Sequence, residues 1–142
     1  MAEQINVFVE NKPGRLNRIT RILGENNINM RAIVIADREN YGIVKILVSD
    51  PRKAHLLLSE EGFACALKKV LAVSFGDTPG SLYQLTETLS GVNVNIIDAY
   101  GFVIESSKEA VLCIEVKDYQ FAKTIVEKNG YRILSDDELY EL

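Results

Sequence analysis

The chain has 142 residues, 47% of them apolar and 25% charged, with a net charge of −4; this suits one average domain or two small ones of ordinary globular composition. The negative balance argues against general nucleic-acid affinity, and no apolar run approaches the roughly 20 residues of a membrane span. No basic region leads into an apolar core at the start, and Cys65 and Cys113 form no CxxC pair, so no signal peptide is predicted and a cytoplasmic protein with reduced thiols is expected.

In chain order, residues 4–10 alternate apolar and polar, a strand pattern. Asn11-Lys12-Pro13-Gly14 is a turn with proline where a helix can begin. Leu16, Ile19, Ile22 and Leu23 recur at helical spacing and predict an amphipathic helix over 14–26, ended by Asn26-Asn27. Residues 28–37 and 42–48 read as strands joined by a hairpin at 38–41. Asp50-Pro51 opens a second helix with Asp50 as N-cap, Ala54, Leu57 and Leu58 as its buried face and Gly62 as its end. Residues 63–67 form a last strand.

The pattern then starts again. Residues 71–96 align with 5–30 at a shift of 66, with eight of 26 positions identical, among them Pro13/Pro79, Gly14/Gly80, Leu16/Leu82, Asn27/Asn93 and Asn29/Asn95. The match resumes at a shift of 68, where Ile46/Ile114, Asp50/Asp118, Ala54/Ala122 and Gly62/Gly130 agree. The second repeat therefore carries two extra residues in the region matching 34–42. Such self-similarity sets the architecture before any local reading. The second set of elements is a strand at 70–76, a helix at 80–90, strands at 94–105 and 109–116, a helix at 118–129 and a strand at 131–135. An acidic tail, 136–142, has room for one helical turn.

The predicted fold class is α+β: two ferredoxin-like βαββαβ repeats, each a four-stranded antiparallel sheet with two helices on one face. The domains are 1–68 and 69–142. In such a sheet the strand order is 4-1-3-2, and almost no linker separates the last strand of repeat 1 from the first of repeat 2. Pairing the two second strands within one chain spans about six strand spacings, roughly 29 Å, whereas two residues reach about 7 Å. Edge-to-edge pairing is therefore expected between chains, or with a swapped strand.

Each repeat places the same polar groups around its first helix. Asn11-Lys12-Pro13-Gly14-Arg15-Leu16 precedes the helix and Asn29-Met30 follows it; Asp77-Thr78-Pro79-Gly80-Ser81-Leu82 and Asn95-Ile96 repeat the arrangement. The two groups sit at opposite ends of the helix, so they can meet across an interface between units. The chemistry suits a small zwitterion. A helix start offers unpaired N–H groups and a positive dipole end to a carboxylate. Glycine lets a ligand approach the backbone, and the Asn and Asp oxygens can accept from an ammonium. Leu16, Met30, Leu82 and Ile96 can sort side chains.

These residues resemble the ACT domain, a ligand-binding module of amino-acid metabolism enzymes, over nearly the whole chain. The resemblance implies an amino acid bound near the first turn at an interface between paired domains, held by Asn11, Asn29, Asp77 and Asn95. It implies a non-catalytic regulatory protein that senses a free amino acid, forms a homodimer or higher homo-oligomer and acts on an amino-acid metabolic enzyme. The alternative is a regulatory subunit that docks on such an enzyme without binding ligand itself. No catalytic residue, metal or cofactor is expected, and neither nucleic acid nor membrane as partner. The two sites should differ, because Asp77 replaces Asn11 while Thr78 and Ser81 replace Lys12 and Arg15.

Of the remaining residues, His55 is the only histidine and aligns with Lys123, beside the buried helix face. Cys65 aligns with Ile133 and reads as packing, whereas Cys113 aligns with Lys45 and reads as a partly exposed thiol. Arg15, Arg18 and Arg21 form a stripe with Lys12 and Arg31, a solvated face or a dock for an acidic surface such as Asp136, Asp137, Glu138 and Glu141 of another chain.

Overall fold

A computed structural model describes residues 2–10 and 12–141, with the backbone alone at Asp37 and Arg38. Its elements are β1 (Ala2–Glu10), α1 (Arg15–Glu25), β2 (Met30–Arg38), β3 (Tyr41–Val48), α2 (Pro51–Glu60), β4 (Ala64–Gly76), α3 (Ser81–Ser90), β5 (Ile96–Glu105), β6 (Glu109–Val116), α4 (Tyr119–Lys128), β7 (Arg132–Leu134) and α5 (Asp136–Glu141). The chain divides into two compact units, one of Glu3–Lys68 and one running from Lys69 onward with Ala2.

Each unit is βαββαβ with antiparallel strands. The first has the order β4-β1-β3-β2 and the second β7-β4-β6-β5, each matching 4-1-3-2. The strands expected at 63–67 and 70–76 are one continuous strand, β4. Its first residues serve one unit and its last the other.

The cores repeat as the sequence does. In the first unit Ile5, Val7, Val44 and Ile46 pack under Ile19, Leu23, Ala54 and Leu58; in the second Leu71, Val73, Leu112 and Ile114 pack under Leu85, Leu89, Ala122 and Val126. α1 lies against α2, and α3 against α4. Leu57 is half-buried at the margin of its core. Asp50 and Asp118 cap their helices, accepting from the Lys53 and Phe121 N–H at 3.1 Å.

Strands β2 and β5 begin two residues later than predicted, because the preceding helices end in a Schellman turn. Asn27 and Asn93 adopt φ of 57° and 60°, and the next N–H, of Ile28 and Val94, returns to Leu23 O at 2.9 Å and Leu89 O at 3.0 Å. The two extra residues of repeat 2 are divided between a bulge at Ile104 and a three-residue turn in place of Glu39-Asn40. Ser135, predicted as strand, instead caps α5: the Glu138 N–H donates to its Oγ at 3.3 Å, and that hydroxyl donates back to Glu138 Oε1.

Cys113 is not the partly exposed thiol its alignment suggested but is 1% exposed. Tyr100, its partner on β5, hydrogen-bonds the thiol, and burial pushes the thiol up to about 12. Both sheets also leave one margin open. Ile33 and Ile35 stand in rows with Ile46 and Val44 on the helix side of β2, yet are 41% and 55% exposed. Val103 on β5 is 55% exposed in the same way.

Leu89→Ala should cost about 2–5 kcal/mol, whereas Leu82→Ala, exposed on the same helix, should change stability by no more than about 0.5 kcal/mol. Urea unfolding of the two variants checks this; equal losses would place the α3 core elsewhere.

Candidate functional site

The two Pro-Gly turns fold alike at the backbone. Gly14 and Gly80 stand at the N-caps of α1 and α3 with φ of 85° and 87°, and neither has a neighbour where a Cβ would point. The glycines are therefore demanded by backbone conformation, since a left-handed position costs another residue about 1–2 kcal/mol. The space beside them is open, and no cap side chain occupies either helix start.

The side chains around the turns diverge. In the first unit, a groove of about 210 Å³ lies between the turn and the open margin of β2. Val9, Val44, Ile35 and Leu16 form its walls, and Gly42 stands where repeat 2 has Ala110. Glu10, Lys12 and Arg15 form the charged rim. The Lys12 ammonium lies 2.7 Å from the Glu10 carboxylate and the Arg15 guanidinium 3.5 Å from it. Leu16, read as part of the helix's apolar stripe, is 37% exposed over this groove. Val9, Glu10, Ile35, Gly42 and Val44 are the groove residues the sequence reading missed. Glu10 precedes the motif, and Ile35 reaches the groove only through the pairing of β2 with β3.

In the second unit the turn is spoken for. Asp77 accepts the Ser107 N–H at 2.8 Å, and its own N–H donates to Lys108 O at 3.3 Å, tying the turn to the β5–β6 hairpin. The Thr78 and Ser81 hydroxyls bond each other, and the Ser81 N–H closes on Thr78 O at 3.1 Å. Ile35 is matched by Gly101, which offers no wall.

Asn11 lies outside the described residues. Asn29 and Met30 lie at the far end of α1, about 16 Å from its start at 1.5 Å per residue. There the Asn29 N–H donates to Ser49 Oγ at 3.1 Å and Met30 packs on the core. Asn95 and Ile96 hold the equivalent place beyond α3. Within either unit, then, the two polar groups do not meet.

The arginine stripe is partly engaged. Arg18 donates to Glu61 O at 2.7 Å and lies 4.8 Å over the Phe63 ring, so its role is local packing at the end of α2. Of the acidic tail, Glu138 is held by Arg132 at 2.7 Å. Among the described residues no group of His, Cys, Asp and Glu is arranged to hold a metal, and no helix is long and apolar enough to cross a membrane.

Lys12, foremost, and Arg15 hold the Glu10 carboxyl below its ordinary value near 4.5. A depressed carboxylate favours the folded state above its unfolded pKa, and that preference fades as pH falls through the folded one. A carboxyl-detected NMR titration should find Glu10 below 4.5, with Lys12→Met raising it more than Arg15→Met. An ordinary midpoint in the wild type would dissolve the cluster. In the second unit, Asp77→Ala should speed Ser107 amide exchange about tenfold by removing a hydrogen bond worth about 1.4 kcal/mol; unchanged exchange would show the hairpin is held by other contacts.

The family of ACT domain pairs matches this chain over residues 1–142. The structure is similar to that of a protein from Bacteroides thetaiotaomicron, with 32% identity and a TM-score of 0.92 over 99% of this chain and 96% of that one. It is also similar to the ligand-free regulatory subunit of aspartate kinase from Thermus thermophilus (16% identity, TM-score 0.66, 89% and 91% covered). The same subunit from Thermus flavus gives 17% identity and a TM-score of 0.61, with 88% of each chain covered. No curated protein matches the chain. The match along the full length, in sequence and in strand order, places the chain in the family of ACT domain pairs.

Proposed function

We propose that this protein is a non-catalytic regulator that binds a free amino acid with an aliphatic side chain, chiefly in the first unit. The observation that carries the reading is the groove beside Gly14, where both signs of charge stand over an apolar floor. A zwitterion entering it exchanges the internal ion pairs for its own. Its carboxylate takes Lys12, Arg15 and the open amides of the first turn of α1, while Glu10 takes its ammonium. Val9, Leu16, Ile35 and Val44 take the side chain. A volume of about 210 Å³ equals roughly seven water molecules at their liquid share, the scale of an amino acid.

The uncovered margin of β2 supports assembly through this edge as a homodimer or higher homo-oligomer. In that assembly a second copy brings its own Asn29 and Met30, which cannot reach the groove from within one unit. Ligand binding then tightens the pairing, with a coupling of about 1–3 kcal/mol typical of such systems. Raised thiol pKa values at Cys65 and Cys113, both from burial, support a non-catalytic role, since nucleophilic cysteine needs its thiolate.

The second reading, an interaction subunit for an amino-acid metabolic enzyme, is favoured by the second unit. There Asp77, Thr78 and Ser81 spend their hydrogen bonds on the fold itself, as an interface-shaping turn would. The regulatory subunits of aspartate kinase, to which this chain is similar, provide a model for such a subunit.

A thermal-shift screen of the twenty amino acids at millimolar concentration tests this. Leucine, isoleucine or valine should raise the melting temperature by mass action, about 2.7 kcal/mol of added stability at 100 times Kd. Lys12→Ala with Arg15→Ala should weaken binding at least about tenfold, one ion pair's worth near 1.4 kcal/mol. Ile35→Asp should lower both binding and self-association. No response to any amino acid would leave the interaction-subunit reading in its place.

A further inference from the structure

The two repeats also differ at the end of each unit away from the Pro-Gly turn, where the first helix returns to the sheet. In the first unit this end is laced shut. The Asn29 N–H donates to Ser49 Oγ at 3.1 Å, the Ser49 N–H returns to Asn29 O at 2.9 Å, and the Lys53 ammonium reaches Asn26 O at 3.2 Å. In the second unit Lys117 replaces Ser49, Phe121 replaces Lys53, Val92 replaces Asn26 and Ile97 replaces Arg31. None of the three bonds has a counterpart among the described residues there. A cleft of about 890 Å³ opens instead between the α3–β5 and β6–α4 turns, within the usual 300–1,000 Å³ of small-molecule sites.

Its lining has two characters. Ile97 and Phe121, 57% and 43% exposed, stand with Val116 as an apolar wall. Lys69 and Lys117 border it, and neither forms an ion pair among the described residues. Asp118, the acid on this border, already accepts the Phe121 N–H as the cap of α4. The cleft thus pairs surplus positive charge with hydrocarbon that water solvates poorly. Ala122 and Val126, not Phe121, carry the buried face of α4.

We propose that this cleft binds a small amphipathic carboxylate, with its anion at Lys117 and Lys69 and its apolar body on Ile97, Val116 and Phe121. The site is independent of the amino-acid groove, which lies in the other unit. It also gives the matched Asn residues different work: Asn29 seals its cleft through the backbone, whereas the Asn95 amide is left at the mouth as a donor.

The test uses the full chain and 2-naphthoate, followed by its own fluorescence. One molecule per chain should bind with Kd below about 1 mM, a free energy of about −4.1 kcal/mol. The neutral alcohol of the same ring, 2-naphthylmethanol, should bind at least tenfold more weakly. The transplant of the first unit's residues, Lys117→Ser with Phe121→Lys, should weaken binding at least tenfold, and Arg15→Ala should leave it unchanged. Thermal unfolding verifies that the transplant is folded, and the exposed single change Lys117→Ser gives the same reading if it is not. No saturable binding, equal affinity for the neutral alcohol, or affinity untouched by both cleft variants would overturn the proposal. Loss of amino-acid binding with naphthoate binding retained would remove only the function proposed above.

Discussion

Two helices cover three strands of each sheet and leave the fourth partly bare. This geometric shortfall governs the molecule. A unit of some 65 residues has little more to cover a sheet with than α1 and α2, or α3 and α4. Strand β2 therefore carries Ile33 and Ile35 in core rows without core burial. The uncovered margin is also where the first Pro-Gly turn opens, so the surface that is costly to leave in water is the surface that forms the groove. Fold economy and the charged turn meet at one edge strand.

Duplication left the two copies free to diverge. In the first unit the turn is open and charged while the opposite end is laced shut by Asn29, Ser49 and Lys53. In the second, Asp77 and the Thr78–Ser81 pair close the turn, and Lys117 and Phe121 open the opposite end. The backbone is preserved through all of this, down to φ at the paired glycines and asparagines. In the core most exchanges are of one aliphatic for another, as at Ile5/Leu71, Ile19/Leu85 and Val44/Leu112.

Much of this was legible in the residues. The internal repeat gave the βαββαβ order, and apolar periodicity gave Ile19, Ile22, Leu23, Ala54 and Leu58 as core positions of the first two helices. Asp50 and Asp118 were readable as caps because their role is local. Pairing across strands was harder to read. Cys113 aligned with Lys45, a charged residue, but it is buried with Tyr100 opposite it on β5. Ile35 reached the groove only through the β2–β3 register, and Glu10 only by curling back over Lys12 and Arg15. Asp77 looked like a ligand residue because its bond to Ser107 joins positions 30 apart. Asn27 was readable as a helix end, and its repeat match Asn93 ends α3 in the same left-handed conformation.

Those two asparagines also bear on how this protein tolerates change. All four long helices stop on a left-handed residue, but α2 and α4 use Gly62 and Gly130 where α1 and α3 use asparagine. An L-residue held there keeps about 1–2 kcal/mol of steric strain that glycine lacks, eased for asparagine by its short polar side chain. The molecule thus contains, twice over, a position far from the Pro-Gly turns where its thermal margin is open to improvement. Glycine at either position would relieve that strain, and the stability gained would offset destabilising changes elsewhere in the chain.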